Sequence, residues 1–275
     1  MTTATTSYIG TRAGSHALSD AFTMLRRNLL HIVRYPGLSM FTILGPVVIL
    51  LLTVFVFGGT LGAGLPGVDA AGGRDAYLAY VMPGILLITI AGTVSGVAIT
   101  VAMDMTEGIT ARFRTMAISR GAVLAGHVLG NTIQAIIAVA LVLGVGLLVG
   151  FRPTATPLEW LEVAGIVVLI SFALSWVGVG MGMQSKTVET ASNLPLILTV
   201  LPLLGSGFVP TASMPGWLQV FAQNQPFTPF IETVRGLLLG TPLGWNPVIA
   251  IGWSIVIAIG GYIWSMAIYN RKSVR

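Results

Sequence analysis

The chain alternates long apolar runs with short polar stretches, and this pattern begins at residue 38. An α-helix of about 20 residues covers the roughly 30 Å hydrocarbon core of a bilayer. The runs therefore predict an all-α integral membrane protein with six transmembrane helices. The predicted spans are residues 38–57, 77–103, 123–149, 160–183, a fifth that starts near 193 and fades at 205, and 245–269.

Two groups of glycines within these spans bear on how the helices pack. Gly92 and Gly96 have the GxxxG spacing that favours a close approach of two helices. Gly178, Gly180 and Gly182 favour tight packing at the end of the fourth span. We expect both groups to lie at helix–helix contacts.

The residues before the first span form a second kind of pattern. Five apolar residues within 17–35 recur at steps of four and three, which is the spacing of one helical face. Arg26, Arg27 and Arg34 stay off that face, and Pro36 ends the pattern. This predicts an amphipathic helix that lies along the cytoplasmic membrane surface, with its arginines near the lipid headgroups. The alternative is a helix that packs on another soluble domain, and no such domain is recognisable in the sequence.

Residues 104–120, termed here the charged loop, separate the second predicted span from the third. They hold five of the chain's 14 basic and nine acidic residues, namely Asp104, Glu107, Arg112, Arg114 and Arg120. Because a charged side chain at the bilayer centre costs about 2.5–3.5 kcal/mol, the whole stretch is predicted to lie in water. Three arginines against two acids place it in the cytoplasm, where a soluble partner is able to contact it.

A proline-rich apolar region, 208–244, follows the fifth predicted span. Its two helical pieces, 210–223 and 226–239, would each be about 21 Å long, which is too short to cross the roughly 30 Å core. They predict a re-entrant hairpin that enters and leaves the membrane from the outside. Glu232 and Arg235 stand at i,i+3 spacing and are able to pair on a helix. Such a pair either pins this element in place or takes part in function.

The distribution of positive charge orients the predicted spans. This topology puts 11 of the 14 Lys and Arg residues in the cytoplasm, and leaves Arg74, Arg152 and Arg235 outside. Both termini are therefore predicted to be cytoplasmic. The domains are a cytoplasmic N-terminus with the interface helix (1–36), a transmembrane domain (37–270) and a cytoplasmic tail (271–275). The net charge of +5 is spread between the apolar runs, so it does not predict nucleic-acid binding.

The sequence offers no catalytic centre and no metal site. It has no cysteine, its three histidines are far apart, and it contains neither a GxxxxGKS/T phosphate loop nor a GxSxG motif. Polar residues do open the third span: His127, Asn131 and Gln134 follow one another four and three residues apart on one helical face. They either line the cytoplasmic mouth of a pathway or hydrogen-bond to a neighbouring helix, and the second interpretation is favoured.

Three regions of the chain together carry a family resemblance. They are EGITARFRTMAISR (107–120), LPLLGSGFVPTASMPGWLQVFAQNQPFTPFIETVRGLLLG (201–240) and the amphipathic helix before the first span. These regions resemble the permease subunits of type-two ABC exporters, especially those of the daunorubicin-exporter kind. Ala117 stands where that family usually has proline, whereas Ile118, Ser119 and Arg120 match the family's turn.

The resemblance implies a transport subunit without an ATPase site of its own, in the cytoplasmic membrane of a bacterium. ATP and magnesium would bind to a separate ABC ATP-binding subunit, and a second permease copy, identical or related, would complete the assembly. The residues implied in coupling to the ATPase are Glu107, Gly108, Arg112, Phe113, Arg114, Ser119 and Arg120. The hairpin would shape the exit through Pro210, Pro215, Trp217, Pro226, Glu232 and Arg235.

The expected cargo is an amphipathic drug, antibiotic or lipid that is moved outward. Permeases for polysaccharides or lipid-linked glycans belong to the same family and are the alternative within it. A secondary transporter or channel without an ATPase is a second alternative, which the scarcity of ionisable residues in the spans disfavours. A membrane scaffold that transports nothing is a third.

Overall fold

A computed structural model of the chain describes Leu25 and residues 36–64, 73–107 and 120–271. Helix is the only regular secondary structure within these ranges. The predicted interface helix, with Arg26, Arg27 and Arg34, lies outside the described residues. So do residues 108–119 of the charged loop and the tail after Arg271.

Ten α-helices are numbered here in chain order within the described ranges. They are α1 (Pro36–Leu52), α2 (Gly58–Ala63), α3 (Gly73–Thr106), α4 (Arg120–Val149), α5 (Pro157–Gln184), α6 (Val188–Asn193), α7 (Leu196–Val200), α8 (Gly216–Asn224), α9 (Phe227–Leu239) and α10 (Asn246–Arg271). A π-helical turn, Thr53–Phe57, joins α1 to α2, and a 3-10 turn, Thr211–Ser213, precedes α8.

Five helical stretches of the described chain are long and apolar enough to cross a membrane. They are Thr42–Ala63, Gly73–Thr106, Val123–Val149, Pro157–Gln184 and Asn246–Arg271. They correspond to the first, second, third, fourth and sixth predicted spans. The first runs past its predicted end at 57, because the glycine-rich residues that were expected to form a loop continue as helix α2 and pack on α3. Arg74 helps to hold this contact, with its guanidinium 4.0 Å from the centre of the Phe55 ring.

The predicted fifth span is not one continuous helix. Its predicted bounds, from about 193 to 205, contain the last residue of α6, the five-residue helix α7 and consecutive turns that continue to 208. Pro195 and Pro202 explain the interruptions, because proline has no N–H to donate and its ring clashes with the preceding helical turn. Hydropathy averaged along the sequence depends only on the apolar composition of this segment. The interruptions of the helix do not change that composition, so the average does not reveal them.

Helix α3 is the centre of the bundle, and every residue from 81 to 91 is buried. It packs against α1, α2, α4, α5, α6, α7 and α9. Helix α10 packs mainly on α5, and many of its large apolar residues remain exposed, as expected of a helix that faces lipid. The C-terminal parts of α3, α5 and α10 meet the N-terminal part of α4 at one end of the bundle. We call this end the loop end.

Glycines bring α5 into close contact with α3, as predicted for the end of the fourth span. A Cβ atom at Gly182 would lie 2.5 Å from the carbonyl oxygen of Ala98, so no larger residue fits without moving a backbone. The GxxxG expectation was wrong within the described part of the chain, because a Cβ atom at Gly92 or Gly96 would meet no described heavy atom within 4 Å. Spacing alone does not reveal which face of a helix meets a neighbour.

The proline-rich region forms two short helices, α8 and α9. The first is shorter than the predicted piece 210–223, because Pro215 sits at its N-cap and the residues before it form only a 3-10 turn. Helix α9 is almost entirely buried. It is tied to the connection between α4 and α5 by a hydrogen bond of 2.9 Å from Thr154 N to Leu238 O. We call this side of the bundle the hairpin end.

Replacing Gly182 with alanine is expected to lower the free energy of unfolding by about 1–3 kcal/mol, because the added methyl group overpacks the contact with α3. The measurement is reversible unfolding of the purified chain in mixed detergent and SDS micelles. Gly92→Ala is the matched control and should not lower stability, because the added methyl group meets no described atom and alanine favours a helix more than glycine does. Equal stability of the two variants would contradict the close packing at Gly182.

Candidate functional site

A buried polar contact joins α3 to α4 at the loop end. Asp104 Oδ2 lies 3.2 Å from His127 Nε2, and both side chains are less than one-tenth exposed. The prediction that Asp104 belongs to a water-exposed loop was therefore wrong: it lies within α3. The physical reason is that a carboxylate tolerates burial when a hydrogen-bonding partner compensates it, and hydropathy does not detect that partner.

The surroundings of this pair leave almost no free space. A cavity of about 10 Å³ lies beside it, which is no more than one water molecule needs. Its lining comes from four helices: Val101, Asp104, Met105, Val123, Leu124, His127, Met183 and Tyr269. The pair is thus a packed link between helices and offers no room for a substrate.

Only the two edges of the predicted coupling segment are described. Glu107 is exposed and stands in the turn after α3, where its N–H donates to Met103 O at 2.9 Å. Arg120 is the first residue of α4. Gly108, Arg112, Phe113, Arg114 and Ser119 lie outside the described residues, so their role in coupling stays a prediction.

The polar residues that open the third span contact neighbouring helices. His127 binds Asp104, and Asn131 Nδ2 donates to Ser175 Oγ of α5 at 2.8 Å. A longer contact of 3.4 Å reaches Thr93 Oγ1 of α3, and Gln134 is partly buried. The sequence did not single out Ser175 or Thr93, because one hydroxyl in an apolar run carries no signal of its partner.

Arg235 is the centre of a second polar cluster, at the hairpin end. It is 6% exposed and donates from Nη1 to Glu232 Oε1, so the pair expected from the i,i+3 spacing is formed. Its Nη2 donates to Ser206 O at 2.6 Å and to Tyr80 O at 3.1 Å, and its guanidinium lies 4.0 Å from the centre of the Tyr80 ring. One buried cation thereby ties together α9, α3 and the turns 201–208. The sequence did not indicate Tyr80 or Ser206 as partners of Arg235, because both accept through the backbone carbonyl oxygen, which every residue has.

A cavity of about 640 Å³ opens beside Arg235. Its lining is Ala76, Ala79, Tyr80, Ser206, Pro210, Thr211, Ala212, Glu232, Arg235, Leu239, Thr241 and Pro242. Three residues of the predicted exit element, Pro210, Glu232 and Arg235, therefore lie at one cavity. Pro215, Trp217 and Pro226 do not line it, and the Trp217 side chain is 77% exposed. Within the described ranges, no group of three or more His, Cys, Asp or Glu side chains is placed to hold a metal ion.

Comparison with known proteins gives two kinds of match. The ABC-2 type transporter family matches residues 20–239, which include both the charged loop and the hairpin. The chain is 27% identical over 236 residues to the daunorubicin resistance ABC transporter permease protein DrrB1 of Streptomyces coeruleorubidus, and this covers 85% of the chain and 80% of that protein.

A more distant relative is the probable doxorubicin resistance ABC transporter permease protein DrrC of Mycobacterium tuberculosis. It is 25% identical over 173 residues, and the match spans 62% of each of the two chains, which is less than two thirds of that relative's length. The family match covers most of the chain, and the five long apolar helices have the character of a multi-pass membrane protein. The chain is therefore an ABC transporter permease and belongs to the ABC-2 type transporter family.

Proposed function

We propose that this permease is the transport subunit of an ATP-driven exporter that moves an amphipathic drug, antibiotic or lipid out of a bacterial cell. The observation that carries the proposal is the family match over residues 20–239, together with relatives named for daunorubicin and doxorubicin resistance. The geometry supports it, because the ends of the charged loop lie at one end of the bundle and the cavity lined by Glu232 and Arg235 lies at the other.

Six crossings are proposed, with both termini in the cytoplasm. Gly182 of α5 contacts Val101 of α3 near the loop end. Near the opposite end of α3, Arg235 Nη2 donates to the carbonyl oxygens of both Tyr80 and Ser206. Residues 80–101 of α3 rise about 32 Å, which is the thickness of the hydrocarbon core. This distance supports the proposal that the chain between α5 and Ser206 makes the further crossing through α6, α7 and the turns 201–208. Helix α9 is about 20 Å long and serves as part of a re-entrant element.

In this proposal, ATP hydrolysis drives the permease through contacts at the charged loop. A separate ABC ATP-binding subunit, which carries ATP and magnesium, contacts residues 107–120, and the interface helix with Arg26, Arg27 and Arg34 flanks that contact. A second copy of the permease, identical or related, completes the transporter. The buried pair between Asp104 and His127 makes the ends of α3 and α4 move together, so that closure of the ATPase shifts both helices as one body.

One observation favours a different mechanism. The pair of Asp104 and His127 is titratable and buried near a membrane boundary, which is typical of proton-coupled transporters that need no ATPase. The absence of space beside the pair argues against a proton path through it. The two mechanisms differ in what happens when both side chains are replaced by apolar ones.

The double variant Asp104→Leu, His127→Leu is expected to insert and to export, but with more ATP hydrolysed per molecule exported, because α3 and α4 are no longer linked. Each single variant should be less stable than the double, since it removes one side of a buried polar contact and leaves the other side buried, with a coupling free energy of about 0.5–3 kcal/mol. Unfolding of the purified chain and ATP-to-cargo ratios in vesicles are the measurements. Complete loss of export in a stable double variant would favour the proton-coupled mechanism.

Charge reversal in the charged loop is expected to block export without affecting insertion. Glu107→Lys and Arg114→Glu alter the segment proposed to contact the ATPase. Glu107 is exposed, and substitutions at exposed positions usually change stability by no more than about 0.5 kcal/mol. Drug export and membrane content are measured in cells that also produce the ATP-binding subunit. Glu162→Lys, an exposed acid at the hairpin end, is the control and should export normally. Undiminished export by both loop variants would remove the coupling role of this segment.

The topology is testable with single cysteines, because the chain has none of its own. Ala212→Cys and Thr241→Cys, on either side of α8 and α9, should both react in intact cells with a membrane-impermeant thiol reagent. Ser119→Cys should react only after permeabilisation. If Thr241→Cys is protected until permeabilisation, the region between them crosses the membrane and the re-entrant arrangement is wrong.

A further inference from the structure

The carboxylate of Glu232 presents an unpaired oxygen at the cavity of the hairpin end. Its Oε1 accepts a hydrogen bond from Arg235 Nη1, and among the described residues its Oε2 has no partner. Unlike Arg235 Nε, which is buried and unpaired, Glu232 Oε2 is not buried. The Glu232 side chain is 30% exposed and lines the cavity. Because a carboxylate oxygen only accepts hydrogen bonds, the missing partner is a donor.

The charge of Arg235 is directed into the protein and not into the cavity. Its side chain is 7% exposed, against 30% for Glu232. Its Nη1 donates to the carboxylate, its Nη2 donates to the carbonyl oxygens of Tyr80 and Ser206, and its guanidinium lies 4.0 Å from the centre of the Tyr80 ring. Of the two charged residues in the lining, the one that a ligand reaches is therefore the acid.

A cation beside Glu232 Oε2 is attracted more strongly than it is repelled. A charge-assisted hydrogen bond places an ammonium nitrogen about 2.8 Å from the carboxylate oxygen, and the guanidinium bonded to the other oxygen is then roughly twice as distant. Coulomb energy varies inversely with distance, so the attraction is about twice the repulsion. An anion experiences the reverse, and a hydroxyl group donates without this net attraction.

The remaining wall is suited to an apolar tail. It is formed by Ala76, Ala79, Pro210, Leu239 and Pro242. The volume of about 640 Å³ lies within the range of about 300–1,000 Å³ that is usual for small-molecule sites. The cavity therefore has room for an amphipathic molecule as well as for its polar group.

We propose that this cavity binds amphipathic molecules with a primary ammonium head, which donates to Glu232 Oε2 while the tail lies along the apolar wall. A primary ammonium has N–H donors, whereas a quaternary ammonium offers charge alone. Two sources supply this chemistry: a soluble amphipathic amine, or the headgroup of phosphatidylethanolamine in the bilayer. The assignment of the site to the export route rests on the proposed function. Binding itself needs no ATP-binding subunit and is tested on the permease alone.

The test uses the permease with Ala212→Cys as its single cysteine, because Ala212 is exposed and lines the cavity. The rate of reaction with an uncharged, impermeant maleimide is measured in phosphatidylcholine nanodiscs at neutral pH, where octylamine is protonated. Octylammonium should slow the reaction about threefold at twice its dissociation constant, as expected for one site. Octyltrimethylammonium, octyl glucoside and octyl sulfate should protect less at equal membrane content. Gln223→Cys, exposed on α8 outside the cavity, is the control and should be unaffected.

Substitutions in the Ala212→Cys background make the test specific. Glu232→Gln keeps an acceptor for Arg235 but removes the negative charge, so it should weaken protection by octylammonium severalfold. Glu162→Gln removes an exposed carboxylate at the same end but outside the cavity, and it should leave protection intact. If Glu232→Gln does not fold, Ala79→Leu fills part of the apolar wall, leaves the carboxylate in place and should also weaken protection.

A second membrane composition distinguishes the two sources of the ammonium group. Replacing part of the phosphatidylcholine with phosphatidylethanolamine should slow the Ala212→Cys reaction without any added amphipath if the lipid headgroup occupies the cavity, and Glu232→Gln should restore the rate. An unchanged rate in this membrane, with protection by octylammonium retained, identifies a soluble amphipathic amine as the ligand. Either result supports the site.

Three results would overturn the proposal: no protection by octylammonium or by phosphatidylethanolamine; protection by octyl sulfate or octyl glucoside equal to that by octylammonium; or equal slowing at Gln223→Cys. Full protection in Glu232→Gln would contradict the role of the carboxylate in the same way. None of these results bears on ATP-driven export, which the charge-reversed loop variants test separately. Failure of the binding site and failure of the exporter function are thus distinguishable.

Discussion

The burial of the middle of α3, residues 81–91, is the constraint on which the rest of the structure depends. A helix surrounded by protein has no water at its middle, so each polar group there needs a partner within the bundle. Thr89 and Thr93 meet this need by donating to the carbonyl oxygens of Ile85 and Ile90, at 2.8 and 2.7 Å. Surrounding helices also have to come close, and α5 does so through Gly182. The packing of α3 thus decides where glycine and hydroxyl side chains are required.

The same helix connects the two polar clusters. Asp104 lies near one end of α3, and Tyr80, whose carbonyl oxygen and ring bind Arg235, lies near the other. The 24 residues between them rise about 36 Å, and Pro83 is the one proline inside the helix. In the proposed exporter, a movement of the charged loop is transmitted to the hairpin end by α3 itself. It does not depend on a series of side-chain rearrangements along the way. In the proposed exporter, this is how ATP hydrolysis outside the membrane acts on the exit.

The sequence predicted most of the fold because length and hydropathy determine a membrane span. It identified five of the long helices, the pair of short helices after 208 and the pairing of Glu232 with Arg235. The predictions failed at positions whose burial or packing depends on a residue far away in the sequence. Asp104 is buried because His127 compensates it, and the charge alone predicted water. Tight packing was expected at Gly182 and is present there, whereas the close helix approach expected at Gly92 is absent among the described residues, because spacing does not identify the neighbouring helix.

The two ends of α3 also differ in a way that separates their roles. At the loop end, the pair of Asp104 and His127 is enclosed beside a cavity of about 10 Å³, so its contribution is confined to holding helices together. At the hairpin end, Arg235 holds three elements together but stands at a cavity of about 640 Å³ with one of its own donors unpaired. Of these two clusters, the one at the hairpin end therefore leaves room for a small molecule beside it, and the one at the loop end does not.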